Sequence, residues 1–170
     1  HYDGDNFIKI AVTKKTLYGI WGDQNGDVFI VGEQGTILRY NKAQDIWQEE
    51  FSGTTENLYA VSGVVTGRGY NVYAVGANGT VLFYDGQTWI SFPPGTEKDL
   101  RSVWCHGKND IFAAGKEGTG LHYDGEKWKP ISINTLKDIY GIYGIPGAHV
   151  YFVGEDKEIE FYSFWEEFVE

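Results

Sequence analysis

The chain has 170 residues (19.2 kDa), 42% of them hydrophobic and 16% aromatic, which suits one packed domain and excludes an aromatic-poor disordered chain. Its net charge of -10 and pI near 4.8 set its surface against phosphate backbones, so nucleic acid is not an expected partner. A single cysteine, Cys105, excludes an intrachain disulfide and any multi-cysteine metal site, and no apolar run reaches the roughly 18 residues of a membrane helix.

The chain opens with His1-Tyr2-Asp3-Gly4, which matches His122-Tyr123-Asp124-Gly125 further on. It is therefore expected to begin at the tail of a third strand, with Phe7 to Val12 as the fourth strand of an earlier unit and residues 1–16 as leftover strand and linker. Without an initiator Met or a signal-like segment, it reads as a processed or truncated product. From Leu17 a pattern sets in: LYGIWG, then VFIVG from Val28, the turn EQGT, ILRY, and YNKAQDIW ending at Trp47. The same order recurs from Leu58 (LYAVSG, VYAVG, ANGT, VLFY, YDGQTW) and from Leu100 (LRSVWC, IFAAG, KEGT, GLHY, YDGEKW). A fourth copy starts at Ile139 with IYGIYG and VYFVG, deviates at the turn as EDKE, and continues with IEFY and YSFW. The starts are spaced by 41, 42 and 39 residues, an internal repeat that organises the whole chain.

Each unit reads as four short strands, because the blocks are about five residues long and rich in Val, Ile, Tyr and Phe. Asn25-Gly26, Asn78-Gly79, Glu117-Gly118 and Asp124-Gly125 separate them as tight turns in which φ > 0 is needed. The first two blocks of a unit are nearly continuous apolar runs, buried on both faces, whereas the third and fourth alternate polar with apolar and belong nearer the outside. The segment Phe164 to Glu170 reads as the fourth strand of the last unit. A four-stranded unit of this size cannot dry both faces alone; stacking on neighbours does that, which describes a β-propeller. The expected fold is a single all-β propeller domain of four four-stranded blades (17–57, 58–99, 100–138 and 139–170) plus the leftover N-terminal strand, an incomplete ring or part of a larger one. A closed four-bladed ring is the alternative. The small residues Gly19, Ala60, Ser102 and Gly141, and Gly32, Gly76, Gly115 and Gly154, are expected where backbones approach closely. Trp47, Trp89, Trp128 and Trp165, with Phe7 in the equivalent slot, are expected to seal the gaps between blades.

These units resemble repeats of bacterial β-propeller proteins of the BNR/sialidase-like, photosystem II assembly-factor-like superfamily. Val72 to Trp89 fits that group's V-Y-A-V-G-x-x-G-T-I-L-x-Y-D-G-x-x-W pattern best, Ile111 to Trp128 next, and Val28 to Trp47 with an insertion. The resemblance spans nearly the whole chain and implies the fold; it does not imply an activity, since propellers host many. The aspartate-box signature Ser-x-Asp-x-Gly-x-x-x-Trp is nowhere intact, and Arg39, Arg68 and Arg101 are the only arginines, so sialidase chemistry is not expected.

Other motifs read as structure. Asp23-Gln24-Asn25-Gly26-Asp27 has a calcium loop's oxygens but lacks the distal bidentate Glu, and reads as a turn. Cys105 and His106, adjacent on a strand, point to opposite faces and make a poor catalytic pair, and His1, His122 and His149 are scattered. Asn78-Gly79-Thr80 fits a glycosylation acceptor but recurs as a turn, and Gly115 to Gly120 lacks what a phosphate loop needs. The acidic strip Trp165 to Glu170 reads as a solvated edge, or as a dock for a basic partner.

No catalytic residue, metal site or cofactor is thus expected. The leading function is a non-enzymatic binding or scaffold module for a protein partner, secreted, periplasmic or at the cell surface, using blade-end loops near Ser62 to Tyr70, Trp104 to Asn109 and Tyr143 to His149. The alternative is a carbohydrate-binding propeller lectin that stacks glycans on aromatic rings; a glycosidase or lyase comes third. Tyr18, Trp21, Tyr59, Trp104, Tyr140 and Tyr143 are the candidate ligand-binding residues, and open propeller edges allow self-association.

Overall fold

The repeats become separate antiparallel sheets in the computed structural model, which describes Asp5, residues 10–67, 69–145 and 149–155, and the backbone of 160–163. The first blade is β1 (Leu17–Gly22), β2 (Val28–Gly32), β3 (Ile37–Asn41) and β4 (Ile46–Glu50). The second is β5 (Leu58–Thr66), β6 (Gly69–Gly76), β7 (Val81–Tyr84) and β8 (Trp89–Ser91). The third is β9 (Leu100–Gly107), β10 (Asp110–Gly115), β11 (Gly120–Tyr123) and β12 (Trp128–Pro130). The fourth shows β13 (Ile139–Gly144), β14 (His149–Gly154) and β15 (Glu160–Ser163). Strands follow one another across every sheet without crossovers, the up-and-down order of propeller blades. The fourth strand expected at Phe164 to Glu170, with Trp165, lies outside the described residues. So does most of the Phe7 to Val12 strand; its described part, Ile10 to Val12, joins no ladder.

Three apolar layers hold the blades face to face. Phe29, Val31 and Ile37 meet Leu58, Val72 and Leu82 between the first and second blades. Tyr73, Val75 and Val81 meet Leu100, Ile111 and Leu121 in the next layer. Phe112 and Ala114 meet Ile139, Val150 and Phe152 in the last. Each Val, Leu, Ile or Phe side chain fully buried there contributes about 1.5–3 kcal/mol. The period-two alternation of the strands decides which layer a residue enters: Tyr73 and Val75 face one neighbour, Val72 and Ala74 the other. Of the recurring tryptophans, Trp89 is buried in the first layer and Trp128 packs on the second, while Trp47 stands beside Tyr40 on the outer side of the first blade.

The turn after the second strand of each of the first three blades is the clasp to the next blade. Gln34, Asn78 and Glu117 adopt φ of 54°, 51° and 54°, and the glycines that follow adopt 68°, 65° and 66°. This left-handed pair aims the turn's N–H groups at the next blade: Gln34 donates to Asn57 Oδ1 (3.0 Å), Asn78 to Asp99 Oδ1 (3.1 Å) and Glu117 to Asp138 Oδ1 (3.0 Å). The glycine is required twice over. A Cβ on Gly35, Gly79 or Gly118 would lie 2.1, 1.8 or 1.9 Å from the carbonyl oxygen of Thr54, Thr96 or Thr135. The recurring x-Gly-Thr thus records a joint between blades as well as a turn.

Innermost strands pack in sequence: β1 on β5, β5 on β9, β9 on β13. Among the described residues β13 shows no comparable packing on β1, and Ile20 of β1 and Val153 of β14 stay exposed, so the described strands form an open arc.

Candidate functional site

The first strand of every blade carries one extra residue. The register steps from Leu17 to Gly19, from Leu58 to Ala60, from Leu100 to Ser102 and from Ile139 to Gly141, leaving Tyr18, Tyr59, Arg101 and Tyr140 as bulges. A bulge turns its side chain out of the pleat. Four equivalent bulges on adjacent blades therefore line up along the inner rim, beside the x-Gly-Thr turns.

They touch in order. The rings of Tyr18 and Tyr59 are 5.6 Å apart. The Arg101 guanidinium sits 5.5 Å from the centre of the Tyr59 ring and 5.7 Å from that of Tyr140, a cation held between two aromatic faces. Acidic groups anchor both ends: the Tyr18 hydroxyl donates to Glu33 Oε1 (3.3 Å) and the Tyr140 hydroxyl to Glu155 Oε1 (2.9 Å). The bond to Glu155 holds the Tyr140 phenol above its usual range, so it stays a donor at neutral pH. Arg101 reaches Asp138 only at 3.8 Å through Nε, an ion pair longer than a hydrogen bond. Tyr18 is 45% exposed and Tyr140 50%. The strip is amphipathic and preorganised: aromatic faces, one central cation and flanking carboxylates.

Trp21 and Trp104 are placed differently from the other candidates. The Trp21 ring packs on Phe29 and Tyr70 and covers Gly63 of the next blade, where a Cβ would meet it at 2.8 Å. Trp104 packs on Phe112 and covers Gly144 in the same way at 2.1 Å. Both indoles, half-buried, pack between neighbouring blades. Tyr143, 68% exposed, stands on the outer side of the last blade, away from the strip. Arg101 was missed because at its position the other three units carry Tyr; its reading depended on recognising the bulge.

At the opposite ends of these strands, two carboxylates organise polar clusters. Asp27 Oδ2 accepts from Arg39 Nη2 (2.9 Å) and from the Tyr70 hydroxyl (2.8 Å), and Arg39 donates on to the Tyr84 hydroxyl (3.1 Å). In the third blade Asp110 takes the place of Asp27 and His122 that of Arg39: Asp110 bonds His122 Nε2 at 2.7 Å and His106 Nδ1 at 2.6 Å. His122, which looked isolated in sequence, is thus a direct partner of the His106–Asp110 pair. The imidazoles stack on Trp104 and Phe112, so the cluster is part of blade packing. The oxygens of Asp23 accept bonds from Asn25 and Asp27 within their own turn. Burial pushes the Cys105 thiol up to about 12, leaving it without thiolate character at neutral pH. Among the described residues no group of three His, Cys, Asp or Glu side chains could hold a metal ion, and no helix is long and apolar enough to cross a membrane.

Neither a protein-family model nor a curated protein matches the chain. Among solved structures it is similar to YCF48 from Cyanidioschyzon merolae (TM-score 0.70, 15% identity), over 88% of this chain and 51% of that one. It is also similar to YCF48 bound to a D1 peptide (TM-score 0.68, 14% identity), over 90% of this chain and 52% of that one. The likeness establishes the β-propeller fold, with this chain spanning about half the length of the structures it matches.

Proposed function

We propose that the chain is a non-enzymatic recognition module that binds a segment of a protein partner along Tyr18, Tyr59, Arg101 and Tyr140. The observation that carries this reading is the strip itself, four bulged residues from four blades in one line. Its three steps of under 6 Å together match the reach of about five extended residues. Aromatic faces supply contact area at low entropic cost, and a central Arg with flanking carboxylates fixes the register of a polar chain. The YCF48 neighbour bound to a D1 peptide supports a propeller of this shape working on a peptide ligand. A lectin reading is weaker, because the indoles of Trp21 and Trp104 are engaged in packing between blades.

The test is an array of overlapping peptides, followed by titration of the binders. Arg101→Ala and Tyr59→Ala should each weaken binding by about tenfold or more, equivalent to about 1.4 kcal/mol. Lys127→Ala, on an outer turn, should leave it unchanged. Binders indifferent to all three changes would overturn the placement, and glycan binding in place of peptide binding would overturn the partner class.

A further inference from the structure

The joints between blades follow a two-sided rule. The upstream blade supplies an x-Gly-Thr turn, and at two of the three joints an indole from its first strand. The downstream blade supplies a threonine-led linker and a first strand. In each linker the hydroxyl of that threonine accepts an N–H two residues on: Thr54 from Glu56 (3.1 Å), Thr96 from Lys98 (3.2 Å) and Thr135 from Lys137 (3.0 Å). The carbonyl of the same threonine then closes on the upstream glycine.

The first blade carries the downstream half of this joint on its outer side. Thr13 accepts from the Lys15 N–H (3.2 Å), reproducing the linker turn. Ile20, equivalent to Val61 and Val103, which are each 7% exposed, is itself 69% exposed. Gly22, equivalent to Gly63 and Gly144, has only atoms of its own blade within reach of a Cβ, the nearest at 3.3 Å. The features that elsewhere receive a blade are assembled here against solvent.

We propose that this face is a preformed joint for a further propeller blade, one whose second strand ends in x-Gly-Thr and whose first strand carries a ring to cover Gly22. The chemistry of the joint also argues against a second copy of this chain as its occupant. The fourth blade offers the apolar and aromatic parts, with Tyr143 68% exposed and Val153 47%, where the equivalent Val31, Val75 and Ala114 are all 0%. Its sequence at the corresponding place, however, reads Glu155-Asp156-Lys157-Glu158, so that in the alignment of the units Lys157 stands where the clasp glycine recurs and Glu158 where the threonine recurs. A side chain at that position meets the partner's carbonyl oxygen in every joint of this chain.

Restoring the turn tests the rule with the full chain. The parent should sediment as a monomer, and the double variant Lys157→Gly, Glu158→Thr should associate head to tail, at least doubling its mass in sedimentation velocity. Adding Ile20→Arg should return the double variant to a monomer. Two results would overturn the proposal. One is a double variant that keeps the parent's circular dichroism yet stays monomeric. The other is a parent that already associates and is dispersed by Ile20→Arg, since the joint would then accept a blade lacking x-Gly-Thr.

Discussion

Trp104 of the third blade occupies the space into which any side chain on Gly144 of the fourth would project: a Cβ there would lie 2.1 Å from the indole. The two residues form one joint, an indole set against bare backbone. Trp104→Ala should cost about 2–3 kcal/mol, the loss of a half-buried aromatic wedge. Gly144→Ala should cost about 1–3 kcal/mol by driving the ring off its seat. Because the clash needs the indole, Gly144→Ala introduced into the Trp104→Ala background should cost little. Urea unfolding of the four members of this cycle reads the coupling, and additive effects would show that the ring and the glycine do not meet.

The glycines of this chain are not equivalent, although sequence alone presents them alike. Gly79 and Gly86 both have positive φ, 65° and 100°. A Cβ on Gly86 would meet nothing within 4 Å, whereas one on Gly79 would lie 1.8 Å from the Thr96 carbonyl oxygen of the linker to the third blade. Gly86→Ala should therefore cost only its backbone strain, about 1 kcal/mol. Gly79→Ala adds a steric conflict at a joint and should cost about 3 kcal/mol or more. Thermal unfolding of the two variants side by side checks this, and equal shifts in Tm would refute the clasp.

How much of this was legible follows from what repeats. The blades, their order and the buried faces could be read because each unit repeats its apolar blocks at one spacing, and the stacking that dries both faces acts on all units alike. The Trp89 and Trp128 wedges were legible for the same reason. The site was harder to see, because a bulge has no residue signature: Tyr18, Tyr59 and Tyr140 stood out as aromatic, but Arg101 breaks the aromatic series at the position where it completes the strip. For Trp21 and Trp104 sequence alone leaves the surroundings open, because an indole on an inner strand suits a ligand as well as a neighbour's glycine. Only the placement of Gly63 and Gly144 opposite them decides. The partnership of His122 with Asp110 was hidden by twelve residues of sequence that a strand pairing removes.

That partnership makes stability depend on pH in a definite direction. Burial alone would raise the Asp110 pKa, but hydrogen bonds from His122 and His106, with the attraction of their positive charge, outweigh it and hold the carboxyl below its usual value. Asp27 is held low in the same sense, by Arg39, the Lys42 N–H and Tyr70 against its own burial. A carboxyl that binds its proton less readily in the native state than in the unfolded one stabilises the fold at every pH above its unfolded pKa, about 3.9. As pH falls below that value the unfolded chain takes up the proton first, and the contribution disappears as the native carboxyl is protonated in turn. The contribution of these two carboxyls should accordingly be lost as the pH falls below about 4. Asp110→Asn keeps the shape of the side chain but removes the charge, so it should lower stability at pH 7 and flatten the acid limb, leaving the variant closer to the parent at pH 3 than at pH 7. Urea midpoints for the parent, Asp110→Asn and Asp27→Asn across this range measure both effects. A deficit as large at pH 3 as at pH 7 would mean that the charge of Asp110 adds nothing to its hydrogen-bonding shape.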